Sequence, residues 1–361
     1  MKILFTIATL KSGGAERVLT TLANFWAIHG HDVVIIKLDD ANSFYNVDPN
    51  ITIVSLNIHK KNKWLIKKII HNLKIVRFIR QTIQKYNPDI VLSFMTRTNI
   101  YSILSTCFIN LPIIISERNN YDGLSNRYLR CLRRILYPFS DGLVVQSQYN
   151  YDKFYYVKHK KIIFNPNWIV EKDRKQAIDK KKIIFAVGRL VKVKRFDWLI
   201  QLLNQLDRKI LKNWRVFIAG DGEEKAFLME LTQKYHLSKI VTFMGEIKDI
   251  VHIYQQASIF ISLSKKEGFP NALAEAMALG CACIATDCES GPSELIENNQ
   301  NGFLIPVDNF EMAKEKLVEL INNESLRYKY SIAAQNSMKR FNLIHIVKEW
   351  EMFIQSCQRR V

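Results

Sequence analysis

Short apolar runs alternate with amphipathic stretches along most of this chain, and they do so in two successive series. The first comprises Lys2 to Ala8, Val33 to Leu38, Ile90 to Phe94, Ile113 to Ser116 and Gly142 to Val145; the second comprises Ile183 to Val187, Val216 to Ala219, Val241 to Phe243, Ile259 to Leu263, Cys283 to Thr286 and Gly302 to Ile305. Strands that read as unbroken apolar runs are buried on both faces, and strand-helix alternation of this kind gives parallel sheets with crossover helices. The spacing therefore predicts an α/β chain of two doubly wound lobes. A length of 361 residues suits two domains. The stretch from Asn165-Pro166-Asn167 through Glu171-Lys172-Asp173-Arg174-Lys175 turns abruptly polar and is the expected linker. Lobes of residues 1–168 and 169–343 follow, with an amphipathic helix over 344–361 left over.

Several classes are excluded or disfavoured. No apolar run approaches the ~18 residues of a membrane-spanning helix. Met1 to Leu10 resembles a short signal peptide but lacks small-residue cleavage chemistry, so a first buried strand is expected there. The six cysteines include no Cys-x2-Cys pair, so neither a zinc site nor a disulfide framework is indicated and a reducing cytoplasm is the simpler setting. The net charge of +18 is concentrated in the first half: residues 1–168 hold 23 Lys and Arg against 10 Asp and Glu, whereas residues 169–361 hold 29 against 24. That asymmetry points to an anionic partner, either a nucleic acid or an acidic membrane surface.

In open parallel sheets ligands bind outside the carboxyl ends of the strands, so functional residues are expected just after strands. Ser12-Gly13-Gly14-Ala15-Glu16 follows the first run and precedes a helical pattern; its glycines allow close backbone approach and the helix start favours an anion. It is not a dinucleotide Gly-x-Gly-x-x-Gly. Gly188-Arg189-Leu190 ends the first run of the second lobe, with Lys194 close behind, and a guanidinium fork beside an ammonium suits a diphosphate. Gly220-Asp221-Gly222 ends the next run. The most specific stretch runs from Glu267-Gly268-Phe269-Pro270-Asn271 through Glu275 to Gly280. Proline at a helix start and glycine past its end place Glu267 in the loop before a helix and Glu275 inside it. Two carboxylates near one helix start can accept from paired sugar hydroxyls, while the helix amides suit a phosphate.

Glu267 and Glu275 match the E-x7-E motif of glycosyltransferase family 4, and the chain resembles that family over essentially its whole length. The Gly-Gly-Ala-Glu turn, the two glycine-containing strand ends, the E-x7-E helix and Ser290-Gly291-Pro292-Ser293-Glu294-Leu295-Ile296 come in the family's order. The resemblance implies a GT-B fold, two Rossmann-like lobes facing a cleft, and a retaining hexosyltransferase using a nucleotide sugar, UDP-linked and carrying an N-acetylhexosamine or hexose. It further implies a lipid-linked glycan acceptor, as in the bacterial transferases that extend undecaprenyl-diphosphate-linked glycans, among them N-acetylgalactosaminyltransferases, in cell-surface polysaccharide or lipopolysaccharide assembly. The 344–361 helix is implied to pack back on the first lobe. Carried over by position, Arg189 and Lys194 bind the leaving diphosphate, Glu275 accepts from the ribose, and Glu267 faces the donor sugar with the backbone of Gly268, Phe269 and Asn271. Gly13 and Gly14, with Gly188, border the donor. Many members carry a first-lobe histidine; here Ser116-Glu117-Arg118-Asn119 stands in its place, making Glu117 and Arg118 the acceptor-side candidates. No Asp-x-Asp pair is present to hold a metal, and no metal or cofactor is expected.

The basic residues of the first half cluster. Residues 60–80 carry eight Lys and Arg and no acid, including Lys60, Lys61, Lys67 and Lys68, and helical spacing puts Leu65, Ile69, Leu73, Val76 and Arg80 near one stripe. Arg130, Arg133 and Arg134 sit in a second such stretch, interleaved with apolar residues. Both suit an anionic lipid surface, implying peripheral association with the inner face of the cytoplasmic membrane and no nucleic-acid partner. Two alternatives stay open on the residues alone: a sugar-nucleotide epimerase of related two-lobed fold, and a basic nucleic-acid-binding protein.

Overall fold

In a computed structural model, which describes residues 1–56, 65–166, 180–247 and 249–358, with residues 65–68 described by backbone only, the chain divides into two compact units. The first joins Met1–Pro166 to Ile344–Val361, and the second is Asn167–Leu343. All but Asn165 and Pro166 of the expected linker lies outside the described residues.

Among the described residues, the first unit contains strands β1 (Lys2–Ile7), β2 (Asp32–Lys37), β3 (Thr52–Ser55), β4 (Ile90–Phe94), β5 (Ile113–Ser116), β6 (Gly142–Val145) and β7 (Lys160–Ile162). They form one sheet in the order β3-β2-β1-β4-β5-β6-β7, parallel throughout. The inner strands are buried along their lengths, which is why they are so apolar. One face packs Leu4, Val91, Ile115 and Leu143 against Ile75, Ile79 and Ile83 of helix Leu65–Tyr86 and Ile100 and Ile103 of helix Thr96–Thr106. Near the opposite surface Trp26 of helix Gly14–Ile28 lies beside Phe5, and Trp350 of helix Leu343–Gln358 stacks on Phe94 at 6.1 Å. Trp26 Nε1 donates to Glu351 Oε1 (3.1 Å), and Phe353 and Cys357 fill the space where Gly142 lacks a Cβ.

The spacing of helix Leu65–Tyr86 misidentifies its inner face. Ile69 and Leu73, on the expected stripe, are exposed, while Ile75, Ile79 and Ile83 are buried. The helix is apolar on more than one side, and the sheet selects the side richest in isoleucine.

The second unit holds, among the described residues, β8 (Lys181–Val187), β9 (Arg215–Ala219), β10 (Val241–Gly245), β11 (Ala257–Ser262), β12 (Ala282–Asp287) and β13 (Phe303–Pro306). Their order is β10-β9-β8-β11-β12-β13, again parallel. Strand order therefore reverses between β1 and β4 in one unit and between β8 and β11 in the other, the places where such sheets open a crevice at their carboxyl ends.

Candidate active site

In the second unit the reversal point brings the expected donor residues together. Gly188, Arg189 and Lys194 follow β8, and Glu267 and the helix Asn271–Ala278 follow β11. Lys194 Nζ lies 2.5 Å from Glu267 Oε1, with the two side chains mostly covered. Lys265 N donates to Val193 O (2.8 Å), joining the two strand-end loops. Arg189 is exposed and forms no ion pair with another described residue.

Backbone packing fixes the floor of the site. Leu190 N donates to Asp221 O (2.9 Å), and a Cβ on Gly220, whose φ is +127°, would fall 2.0 Å from Gly188 O. Only glycine fits there, so the Gly220-Asp221-Gly222 turn allows two strand-end segments to approach closely.

Helix Asn271–Ala278 begins after Pro270 with no side-chain cap, and Gly280 at φ +72° follows its end. Glu275 is buried, at 4% exposure, within this helix. Phe269 is also buried and packs beside Phe341 at 6.1 Å. Asn271 N is taken up by Phe269 O (2.9 Å), closing the turn that carries Glu267 and Gly268.

Two residues without an expected role hold that turn. Ser290 Oγ donates to Glu267 O at 2.5 Å and lies 3.4 Å from Gly268 O. Gly291, at φ +101°, places its Cα where a Cβ would meet Pro270 Cδ at 2.5 Å. Thr286 Oγ1 donates to Ser264 O (2.5 Å) at the other end of the loop. The sequence marks Ser290-Gly291 as part of the Ser290–Ile296 stretch that comes in the family's order, but gives neither residue a role. Cys288, beside Glu267, has its thiol pushed up to about 12, by burial first and by that carboxylate second.

The first-unit candidates are interior groups. Glu117, just past β5, is fully buried; its Oε2 accepts from Thr96 Oγ1 and Tyr137 OH, both at 2.7 Å, and Asn99 Nδ2 donates to Tyr137 OH (3.0 Å). Burial and Glu117 together hold the Tyr137 phenol well above its ordinary range. Arg118 donates to Asn165 Oδ1 (2.5 Å) and lies over the rings of Phe94 (4.8 Å) and Trp350 (5.8 Å), while burial pulls its guanidinium down to about 9. Its Nε and Nη2, and Glu117 Oε1, have no hydrogen-bond partner among the described residues. At the start of helix Gly14–Ile28, a Cβ on Gly13 would fall 2.1 Å from Glu16 Oε2, so a carboxylate already lies at the turn where an anion was expected.

The basic stretches need one correction. Arg133 is not a surface cation: it is 2% exposed, stacks on Tyr121 at 3.9 Å and donates both Nη atoms to Tyr121 O. The planar guanidinium is desolvated against aromatic faces, which lysine could not match. Arg130 and Arg134 are exposed, and Arg134 Nη2 reaches Tyr155 OH (2.6 Å). Lys60 and Lys61 lie outside the described residues, and Lys67 and Lys68 are described by backbone only. No helix among the described residues is long and apolar enough to cross a membrane.

Residues 169–337 match the family described as glycosyl transferases group 1, and residues 12–170 match the one described as Glycosyltransferase Family 4. The chain is 33% identical, over 97% of both chains, to a Campylobacter jejuni GalNAc-alpha-(1->4)-GalNAc-alpha-(1->3)-diNAcBac-PP-undecaprenol alpha-1,4-N-acetyl-D-galactosaminyltransferase. It is 27% identical, over 95% of this chain and 96% of the other, to the same organism's N-acetylgalactosamine-N,N'-diacetylbacillosaminyl-diphospho-undecaprenol 4-alpha-N-acetylgalactosaminyltransferase. Anabaena HepE in complex with UDP-glucose superposes with a TM-score of 0.77 at 19% identity, covering 99% of this chain and 100% of that one.

Proposed function

The chain belongs to the family 4 glycosyltransferases of GT-B fold, and from that premise we propose that it is a retaining transferase moving an N-acetylhexosamine or hexose from a UDP-linked donor to a lipid-linked glycan. The observation that carries the donor assignment is the meeting of Lys194 with Glu267 at the β8–β11 reversal point, beside the uncapped start of the helix that holds Glu275. A cation, a sugar-facing carboxylate and a helix N-terminus at one strand-end crevice match the three parts of a nucleotide sugar. The names of the two Campylobacter relatives support an undecaprenyl-diphosphate-linked acceptor, and the UDP-glucose in the HepE structure supports a uridine donor.

In this reading the exposed Arg189 and the mostly covered Lys194 face the diphosphate, Glu275 accepts from the ribose, and Glu267 orients the sugar with the backbone of Gly268, Phe269 and Asn271. Gly188 leaves room for the phosphates. The bond from the anomeric carbon to the diphosphate oxygen breaks with its electron pair going to the phosphate. Preorganised cations and helix amides stabilise that charge as it forms. The acceptor hydroxyl oxygen bonds to the same face of the carbon, and its proton passes to the departing phosphate oxygen. No protein nucleophile and no metal enter this scheme. Glu117 and Arg118 are interior, so they act by fixing the strand ends of the acceptor-binding unit rather than by touching the sugar. The basic helices seat that unit on the cytoplasmic face of the membrane.

The test is transfer from a panel of UDP, GDP and ADP sugars to a short-chain undecaprenyl-diphosphate-type glycan, read by product mass and anomeric configuration with and without EDTA. An α-linked product from a UDP sugar, unaffected by EDTA, is expected. Donor epimerisation without transfer, a β-linked product, or loss of activity in EDTA would overturn the corresponding part.

A further inference from the structure

Two loop residues of the second unit adopt a left-handed backbone without being glycine, and their side chains meet. Arg195, at φ +53°, stands between the short turn Lys192–Lys194 and the helix Phe196–Gln205, and Asp308, at φ +67°, stands in the loop after β13. For an arginine that backbone is uncommon and has to be held by its surroundings. Here Arg195 Nη2 pairs with Asp308 Oδ1, and the guanidinium lies 3.8 Å from the centre of the Trp198 ring, so that only 11% of the side chain is exposed. Lys265 Nζ lies 3.5 Å from the same Asp308 oxygen. Trp198 in turn packs edge-to-face with Phe310 at 5.3 Å, at the start of the helix that follows the Asp308 loop. One carboxylate thus gathers two cations from two other loops. Each cation is close along the chain to a residue of the candidate donor site: Arg195 follows Lys194, and Lys265 precedes Glu267 by two. The left-handed turn sends neighbouring side chains apart, Lys194 onto Glu267 and Arg195 onto Asp308.

We infer that Asp308 is a positioning residue of the donor site, clamping the loops after β8 and β11 through Arg195 and Lys265 so that Lys194 and Glu267 are presented together. An isolated surface ion pair would hold little. This one differs because its guanidinium is stacked and covered, its carboxylate is shared by two cations, and it joins two left-handed residues. Asp308 itself is 57% exposed, so it acts through its neighbours rather than by touching the sugar. The nucleotide anchors assigned above, Arg189 and Glu275, are not members of the clamp, so its loss is expected in the transfer step rather than in nucleotide affinity. The inference rests on the donor-site reading above and adds a residue that reading does not use.

The test is a double-variant cycle in the full chain with Arg195→Gly and Asp308→Asn. Glycine accepts the left-handed turn without strain and asparagine tolerates it, so both variants keep the backbone and lose the pair. Each is expected to lower kcat for transfer from a UDP sugar roughly tenfold to a hundredfold, with the far-ultraviolet spectrum unchanged. The dissociation constant for UDP should change less than about threefold, because the lost positioning is felt in the transition state. The double variant is expected to be no slower than the slower single variant, since one contact is removed once. Arg195→Lys, which keeps the charge but not the planar stack, should recover part of the rate. Wild-type kcat in Asp308→Asn, losses that multiply in the double variant, or a fall in stability with kcat unchanged would each overturn the inference while leaving the donor site standing. A wild-type protein that neither binds UDP nor transfers sugar would instead overturn the donor-site reading, and the clamp with it.

Discussion

Ser290→Ala removes one hydroxyl from the back of the candidate donor loop, 23 residues away in sequence from the carboxylate it positions. Ser290 Oγ is buried and donates at 2.5 Å to Glu267 O, so alanine leaves that carbonyl without this donor. The cost for a buried acceptor is about 1–3 kcal/mol, visible as a lowered urea midpoint with unchanged slope. Because Glu267 holds Lys194 at 2.5 Å, a loop that relaxes carries both groups with it. A shift of about 1 Å in a catalytic group costs on the order of a hundredfold in rate, so single-turnover transfer should slow by roughly ten- to a hundredfold while the KM for acceptor stays level. Ser290→Thr keeps the hydroxyl and should restore most of the rate. Gly291→Ala should be worse, since its Cβ would meet Pro270 Cδ at 2.5 Å and its φ of +101° disfavours any side chain. An alanine at 290 that lowers stability yet transfers at the wild-type rate would refute the claim that this hydroxyl positions Glu267.

Other outcomes follow from single contacts. Glu267→Gln and Lys194→Met should each reduce transfer at least a hundredfold with the fold retained, by loss of one partner in their ion pair; donor turnover by stopped assay checks this. Arg133→Ala should destabilise the protein by about 2–3 kcal/mol, through a lost aromatic stack and two unsatisfied bonds to Tyr121 O, whereas Arg130→Ala should stay within about 0.5 kcal/mol, as measured by urea denaturation. At pH 9 a maleimide should modify Cys131 readily and leave Cys288 unmodified until the protein unfolds, because Cys131 is exposed while the Cys288 thiol is pushed up to about 12 and remains protonated; mass spectrometry of peptides distinguishes the two.

Much of the fold is written in the chain, and the departures have identifiable causes. Inner strands such as Ile90–Phe94 and Gly142–Val145 are buried on both sides, so their composition marks them. The edge strands Thr52–Ser55 and Lys160–Ile162 carry no such mark: they are short, partly exposed, and exist because β2 and β6 offer them a ladder. The E-x7-E carboxylates are legible because one loop and one helix carry both, whereas Ser290 reaches the site only through the β11–β12 pairing. Glu117 reads as an acceptor-side candidate and Arg133 as a membrane-facing cation for the same reason. Their partners, Thr96 and Tyr137 for one and Tyr121 and Phe154 for the other, are brought to them by packing rather than by spacing.

The donor site is the central claim, and calorimetric titration of UDP into the wild-type protein and into the Arg189→Ala and Glu275→Ala variants tests it most directly. The account predicts saturable binding to the wild type that each substitution weakens at least tenfold, with thermal unfolding of all three proteins alike in the absence of nucleotide. UDP bound by both variants as tightly as by the wild type would contradict it, because the nucleotide would then lie somewhere other than beside β8 and the Asn271–Ala278 helix.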